Sequence, residues 1–64
     1  MRVIYKGDAT DLQVKWGGND DPRICLGTDY AYNVVKQEVH SWHTKYVLRE
    51  WPNKKFNSCH FTEV

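Results

Sequence analysis

The sequence is short of cysteine, proline and glycine, with two, two and four among 64 residues. Two cysteines are too few for the disulfide framework of a small secreted scaffold, so Cys25 and Cys59 are expected as reduced thiols. There is no repeat, no low-complexity tract and no run of like charge longer than two residues. Nine basic residues against eight acidic ones leave a net charge of +1. That balance supplies no acidic tail, and no basic excess of the kind that phosphate-bound proteins usually carry. Long hydrophobic runs are missing too. No segment approaches the ~20 apolar residues of a membrane-spanning helix, and Met1–Asp8 turns polar too early for a signal peptide. The expectation is therefore a cytoplasmic chain with no membrane partner.

Aromatic side chains are what the chain has instead. Three Trp, four Tyr and two Phe make up 14% of it. Each buried aromatic removes roughly 150–250 Å² from water, so a few of them replace many aliphatic residues. This matters because a single core in a chain below ~70–80 residues rarely supplies more than about 3–5 kcal/mol.

Hydrophobic periodicity places the elements. Residues 1–6 read as a strand with Met1, Val3 and Tyr5 on one face, closed by Gly7-Asp8. Leu12-Gln-Val-Lys-Trp16 alternates strictly and predicts a second strand. Gly17–Pro22 combines Gly, Asx and Pro residues and predicts a loop. Arg23–Leu26 is a short apolar run. Tyr30–Trp51 holds no Gly or Pro and admits two readings, one long helix or two strands with a turn at Lys36-Gln37-Glu38. Its valines, Thr44 and aromatics favour strands. Trp51–Lys55 predicts a turn. Phe56-Asn-Ser-x-x-Phe61 predicts one helical or 3₁₀ turn capped by Asn57 or Ser58, with a last short strand after it.

Five short strands with a one-turn helix before the last predict an all-β fold, a single small SH3-like barrel over residues 1–64. The competing architecture is α+β with a helix over residues 30–50. The expected core is Val3, Tyr5, Val14, Ile24, Leu26, Tyr32, Val34, Tyr46, Leu48, Phe56 and Phe61.

Several segments resemble small SH3-like barrel proteins encoded by phages and prophages. They are the Gly7-Asp8 strand end, Gly27-Thr-Asp-Tyr30-Ala-Tyr32-Asn-Val34, Val39-His-Ser-Trp-His-Thr44 leading to Leu48-x-x-x-Pro52, and Phe56-Asn-Ser-x-x-Phe61-x-Glu63-Val64. The resemblance covers residues 1–8 and 26–64, while residues 9–25 depart from it. It implies the barrel fold and a phage or prophage origin in a bacterial host. It assigns no catalytic residue.

Four constellations bear on chemistry. Cys25, His40, His43, Cys59 and His60 are candidate zinc ligands, which would make the protein a zinc-stabilised module. His40 and His43, three apart, would share a face on a helix but take opposite faces of a strand. Cys59 and His60 are adjacent, which is awkward for one ion, so no metal or cofactor is expected. Cysteine–histidine catalysis lacks any nucleophile signature, and so short a barrel lacks room for a cleft, which points to a protein that is not an enzyme. Asp11, Asn19, Asp20 and Asp21 lack the distal Glu of a calcium loop and read as a solvated turn.

The fourth constellation is the aromatic surplus. Trp16, Trp42, Trp51, Tyr30, Tyr32 and Tyr46 exceed what one small barrel hides, and exposed Trp and Tyr are enriched in binding hot spots. The candidate binding surface is Trp16, Trp42, Tyr46 and Trp51, with His43, Lys45 and Arg49 as polar companions. The functional expectation is a non-enzymatic interaction module with a protein partner. Single-stranded nucleic acid, stacked on the aromatics, is the alternative ligand. Pairing into a homodimer would add stability to so small a chain.

Overall fold

Five antiparallel strands, one short helix and two 3₁₀ turns make up the computed structural model, which describes residues 1–15 and 18–64. The strands are β1 (Arg2–Tyr5), β2 (Ala31–Val39), β3 (Thr44–Leu48), β4 (Trp51–Asn57) and β5 (Phe61–Glu63). They lie in the order β4-β3-β2-β1-β5. A long connection after β1, a β2–β3–β4 meander and a 3₁₀ turn that returns β5 to β1 form the SH3-like layout, left open between the edge strands β4 and β5.

The core is one cluster of Val3, Tyr5, Leu26, Tyr32, Leu48, Phe56 and Phe61, with Val34, Tyr46 and Trp51 packed against it half-buried. Its aromatic rings meet at tilted or edge-on angles, Phe61 lying 5.7 Å from Tyr46 and 6.3 Å from Phe56. Such offset contacts are the favoured ones for aromatic quadrupoles. The tail follows the expected capped turn and last short strand. Asn57 Oδ1 accepts from the Cys59 amide and opens the 3₁₀ turn Ser58–His60, and its cap residue Phe61 begins β5.

Residues 6–30 correct the sequence reading. Asp11–Lys15 is a helix, α1, and not a strand. Thr10 Oγ1 accepts from the Gln13 amide while Gln13 Oε1 accepts from the Thr10 amide, a reciprocal capping box that outweighs a five-residue alternation. Leu12 consequently lies on the surface, and Trp16 falls outside the described residues. Pro22–Ile24 is a 3₁₀ turn capped by Asp21, so Ile24 is 78% exposed and Val14 only half-buried; neither belongs to the core. Gly7 ends β1 as expected. Its φ is +77°, and a Cβ there would stand 2.9 Å from Thr28 Cγ2, so both backbone and space require glycine.

In the meander the strand reading of residues 30–50 holds, but the turns move. Lys36-Gln37-Glu38 continues β2, and the chain reverses at Ser41-Trp42. Trp51–Lys55 is not a turn but part of β4, with the reversal at Arg49-Glu50. Pro52 is tolerated because β4 is an edge strand, where a missing N–H breaks no central ladder. The Asp20 amide donates to the Lys55 carbonyl at 2.9 Å, and the Lys55 amide donates to Asp20 Oδ2 at 2.8 Å. The long connection thus covers part of an edge that would otherwise invite pairing with another chain.

Candidate functional site

The outer face of β2–β3–β4 follows from register. Phe56 is buried, and its partner Tyr46 and Tyr46's partner Gln37 share the inward face with it. The next residue on each strand therefore points outward. That gives one row of Glu38, Lys45 and Asn57, of which Asn57 is buried and caps the turn after β4. Lys36, opposite Val47, lies in a neighbouring row, past the irregularity at Val35. Lys55 reaches the same face, since its ammonium stands 2.7 Å from Glu38 Oε2; the Lys36 ammonium is 3.7 Å from that oxygen. The third row is His40 and His43, which flank the Ser41-Trp42 reversal.

Those histidines correct an expectation. Odd spacing on one strand puts side chains on opposite faces, but the chain reverses between them. They become a cross-strand pair, their rings stacked at 5.1 Å and 17°. The His40 amide donates to the His43 carbonyl at 2.8 Å and closes the hairpin. Trp42, 66% exposed, leans on His43 at 5.9 Å and 32°. Three rings thus form a step at one end of a lysine-bearing face.

Electrostatics follow the geometry. The hydrogen bond from Lys55 holds the Glu38 carboxyl below its ordinary pKa against the opposing effect of burial, with Lys36 and His40 adding to the lowering. Burial pushes His43 down, and the neighbouring His40 and Lys45 push it the same way. Both His43 ring nitrogens are buried with no hydrogen-bond partner among the described residues, which favours a neutral ring. At the other end of β3, burial pushes Glu50 up, but hydrogen bonds from the Asn33 side chain and amide outweigh it and leave the carboxyl lowered. Glu50 thereby fastens the Arg49-Glu50 turn to β2.

The residues singled out from sequence do not form one patch. Trp42, His43 and Lys45 come together on the outer face. Tyr46 points inward and packs on Phe61. Trp51 pairs with Leu48 and packs half-buried against the core. Arg49 lies at the far end of β3, about 20 Å of extended chain from His43. Trp16 is outside the described residues. Sequence reasoning missed Lys36, Glu38 and Lys55, and it weighed His40 only as a metal ligand. The i, i+2 spacing of Lys36, Glu38 and His40 was the available signal, hidden by reading that stretch as a turn.

The metal candidates also scatter. Cys25 and Cys59 are free thiols. The Cys25 thiol lies 3.6 Å from the Asp21 carbonyl, and burial raises its pKa. Cys59 Sγ lies 3.6 Å from His60 Nδ1, and Asp8 Oδ1 lies 3.5 Å from that same nitrogen. Burial first, then Asp8, raises the Cys59 pKa, opposed by Lys6. The Cys59 sulfur lies over the His60 ring, 3.9 Å from Nε2 as well. Among the described residues no group of three or more His, Cys, Asp or Glu is arranged to hold a metal ion. No described helix is long and apolar enough to cross a membrane.

The acidic loop is not simply solvated. Asp20 binds β4, while Asp21 and Asp11 both hold the Arg23 guanidinium, at 2.9 and 2.6 Å. Hydrogen bonds from the Arg23 side chain and amide keep Asp21 below its ordinary pKa. No family model, curated protein or solved structure matches the chain.

Proposed function

We propose that the protein is a non-enzymatic interaction module that binds a macromolecule through the outer face of β2–β3–β4. The observation that carries this reading is the exposed Trp42 indole, held by the stacked His40 and His43 rings beside Lys36, Lys45 and Lys55. A large aromatic on a two-residue hairpin tip contributes nothing to the core cluster and is poised for a partner. The resemblance to small phage and prophage barrels supports a role as an accessory protein acting in a bacterial host.

The test is capture of a partner from a bacterial lysate by the wild-type chain and by two double variants. Trp42→Ala/Lys55→Ser alters the outer face. Leu12→Ser/Ile24→Ser alters the exposed apolar side chains of the β1–β2 connection instead. Loss of the partner only with the first variant is expected. Loss with the second alone, or capture by all three chains alike, overturns the assignment of the face.

A further inference from the structure

The near-neutral charge of the chain conceals a separation. Residues 6–30 hold five of the eight acidic residues but three of the nine basic ones. They therefore carry a net charge of −2 and leave +3 on the strands. Part of that acidity is engaged at home, with Asp11 and Asp21 on Arg23 and Asp20 on the β4 edge. The outer face has the opposite sign. Lys36, Lys45 and Lys55 share it with Glu38, its one carboxylate among the described residues, and Asp20 stands at its β4 margin. The field of this face favours an anionic partner, and a charge asymmetry of this kind steers association even when the total is near zero.

The rings select among anionic partners. The carboxylates of an acidic protein would answer the lysines but offer the Trp42 indole no flat ring to stack on. A nucleic-acid base has a flat π-face that stacks on an aromatic ring whatever its sequence. In a duplex those faces are covered by neighbouring base pairs, so an indole can use them only in a single strand. The His43 ring behind Trp42, itself stacked on His40, holds the indole at the end of the lysine rows. The molecule is 24 Å in its longest extent. That suits a segment at the short end of the ~4–16 nucleotides that small barrels bind.

Resting on the reading of the outer face given above, we infer that its partner is single-stranded nucleic acid, with a base stacked on Trp42 and phosphates along Lys36, Lys45 and Lys55. Glu38 then acts as a brake, since its carboxylate competes with phosphate for Lys55 and Lys36.

The experiment is titration of the full chain with a fluorescent oligothymidylate of ~12 nucleotides across a salt series. A duplex of equal length and polyglutamate serve as competitors. Three contacted phosphates give a log–log salt slope of about −2 for a single strand. Trp42→Ala should weaken binding about tenfold or more with the slope unchanged. Lys36→Ser/Lys55→Ser should flatten the slope to about −0.7. Glu38→Gln should strengthen binding several-fold, and the duplex should compete poorly. All four side chains lie outside the core cluster, so thermal melts should show each variant folded.

Absence of oligonucleotide binding at low salt overturns the inference, as does an affinity indifferent to Trp42. Polyglutamate binding as tight as the oligonucleotide's also overturns it and assigns an acidic protein instead. If oligonucleotide binding fails while the lysate partner is still lost in the outer-face variant, the face stands and only its ligand changes. If both fail, the reading of the face falls as well.

Discussion

The β1–β2 connection and the β2–β3–β4 meander are held together by different means. In the connection, polar groups do most of the fastening. Thr10 and Gln13 cap each other, Arg23 joins Asp11 to Asp21, and Asp20 closes onto Lys55. The Gly27 amide donates to the Tyr32 hydroxyl at 2.8 Å. Leu26 reaches the core and Pro22 is buried, but Leu12 and Ile24 are 77% and 78% exposed. In the meander, Leu48 and Phe56 are fully buried, and Lys36, Glu38, Lys45 and Lys55 lie on the outer face. A chain this small can concentrate its core on the sheet and fasten the rest of the connection by hydrogen bonds, provided those bonds end on the sheet.

The comparison predicts where damage is greatest. Phe56→Ala should unfold the protein at room temperature. Truncating a buried Phe costs about 3–5 kcal/mol, comparable to the whole stability expected at this size. Circular dichroism of the purified variant checks this, and retention of a cooperative melt near the wild-type temperature would break the division between the halves.

Asp20→Ala should be milder, at about 1–2 kcal/mol, because it removes one charge-assisted bond to the Lys55 amide while the Asp20 backbone bond persists. Urea melts measure it. The same variant should exchange the Lys55 amide faster and self-associate more readily, since it uncovers part of an edge strand.

Acid should act on both regions in sequence. His43 is held below its ordinary pKa, so its contribution is complete above about pH 6.5 and is lost as pH falls through the lowered value. Asp21, Glu38 and Glu50 are likewise lowered. Their contributions are complete above roughly pH 4–4.5 and are lost below it. Urea midpoints should fall in two stages between about pH 7 and pH 3, and His43→Phe should remove the first stage alone. A midpoint flat across this range would contradict the account of these groups. The smallest effect belongs to Ile24→Ser, within about 0.5 kcal/mol, as for an ordinary surface site. A clearly larger loss would show that the connection rests on apolar burial after all.

Legibility from sequence divides along the same line. Val3, Tyr5 and Leu48 could be read as core because burial imposes a period of two on strands, and Phe56 and Phe61 because they flank the predicted turn. The Asn57 cap was readable because it is local. The connection was not, because a five-residue alternation such as Leu12–Trp16 does not separate strand from helix. The Thr10-x-x-Gln13 box that decides the matter lies just before it. The hairpins were displaced for another reason: Lys36 and Glu38 are polar because they face outward, not because the chain turns there. The candidate surface was half legible. Trp42 was singled out by the aromatic surplus and His43 and Lys45 by alternation, but Lys36 and Lys55 converge on Glu38 only through the pairing of three strands. The charge separation stayed hidden because a total of +1 averages it away.

The most direct test of the central claim is a nuclear magnetic resonance titration of the labelled protein with the oligothymidylate. The account predicts amide and indole shifts concentrated at Glu38, His40, Trp42, His43, Lys45 and Lys55, with Thr10–Lys15 and Arg23–Ile24 unmoved. Shifts centred on Leu12 and Ile24, or none at Trp42, would contradict it.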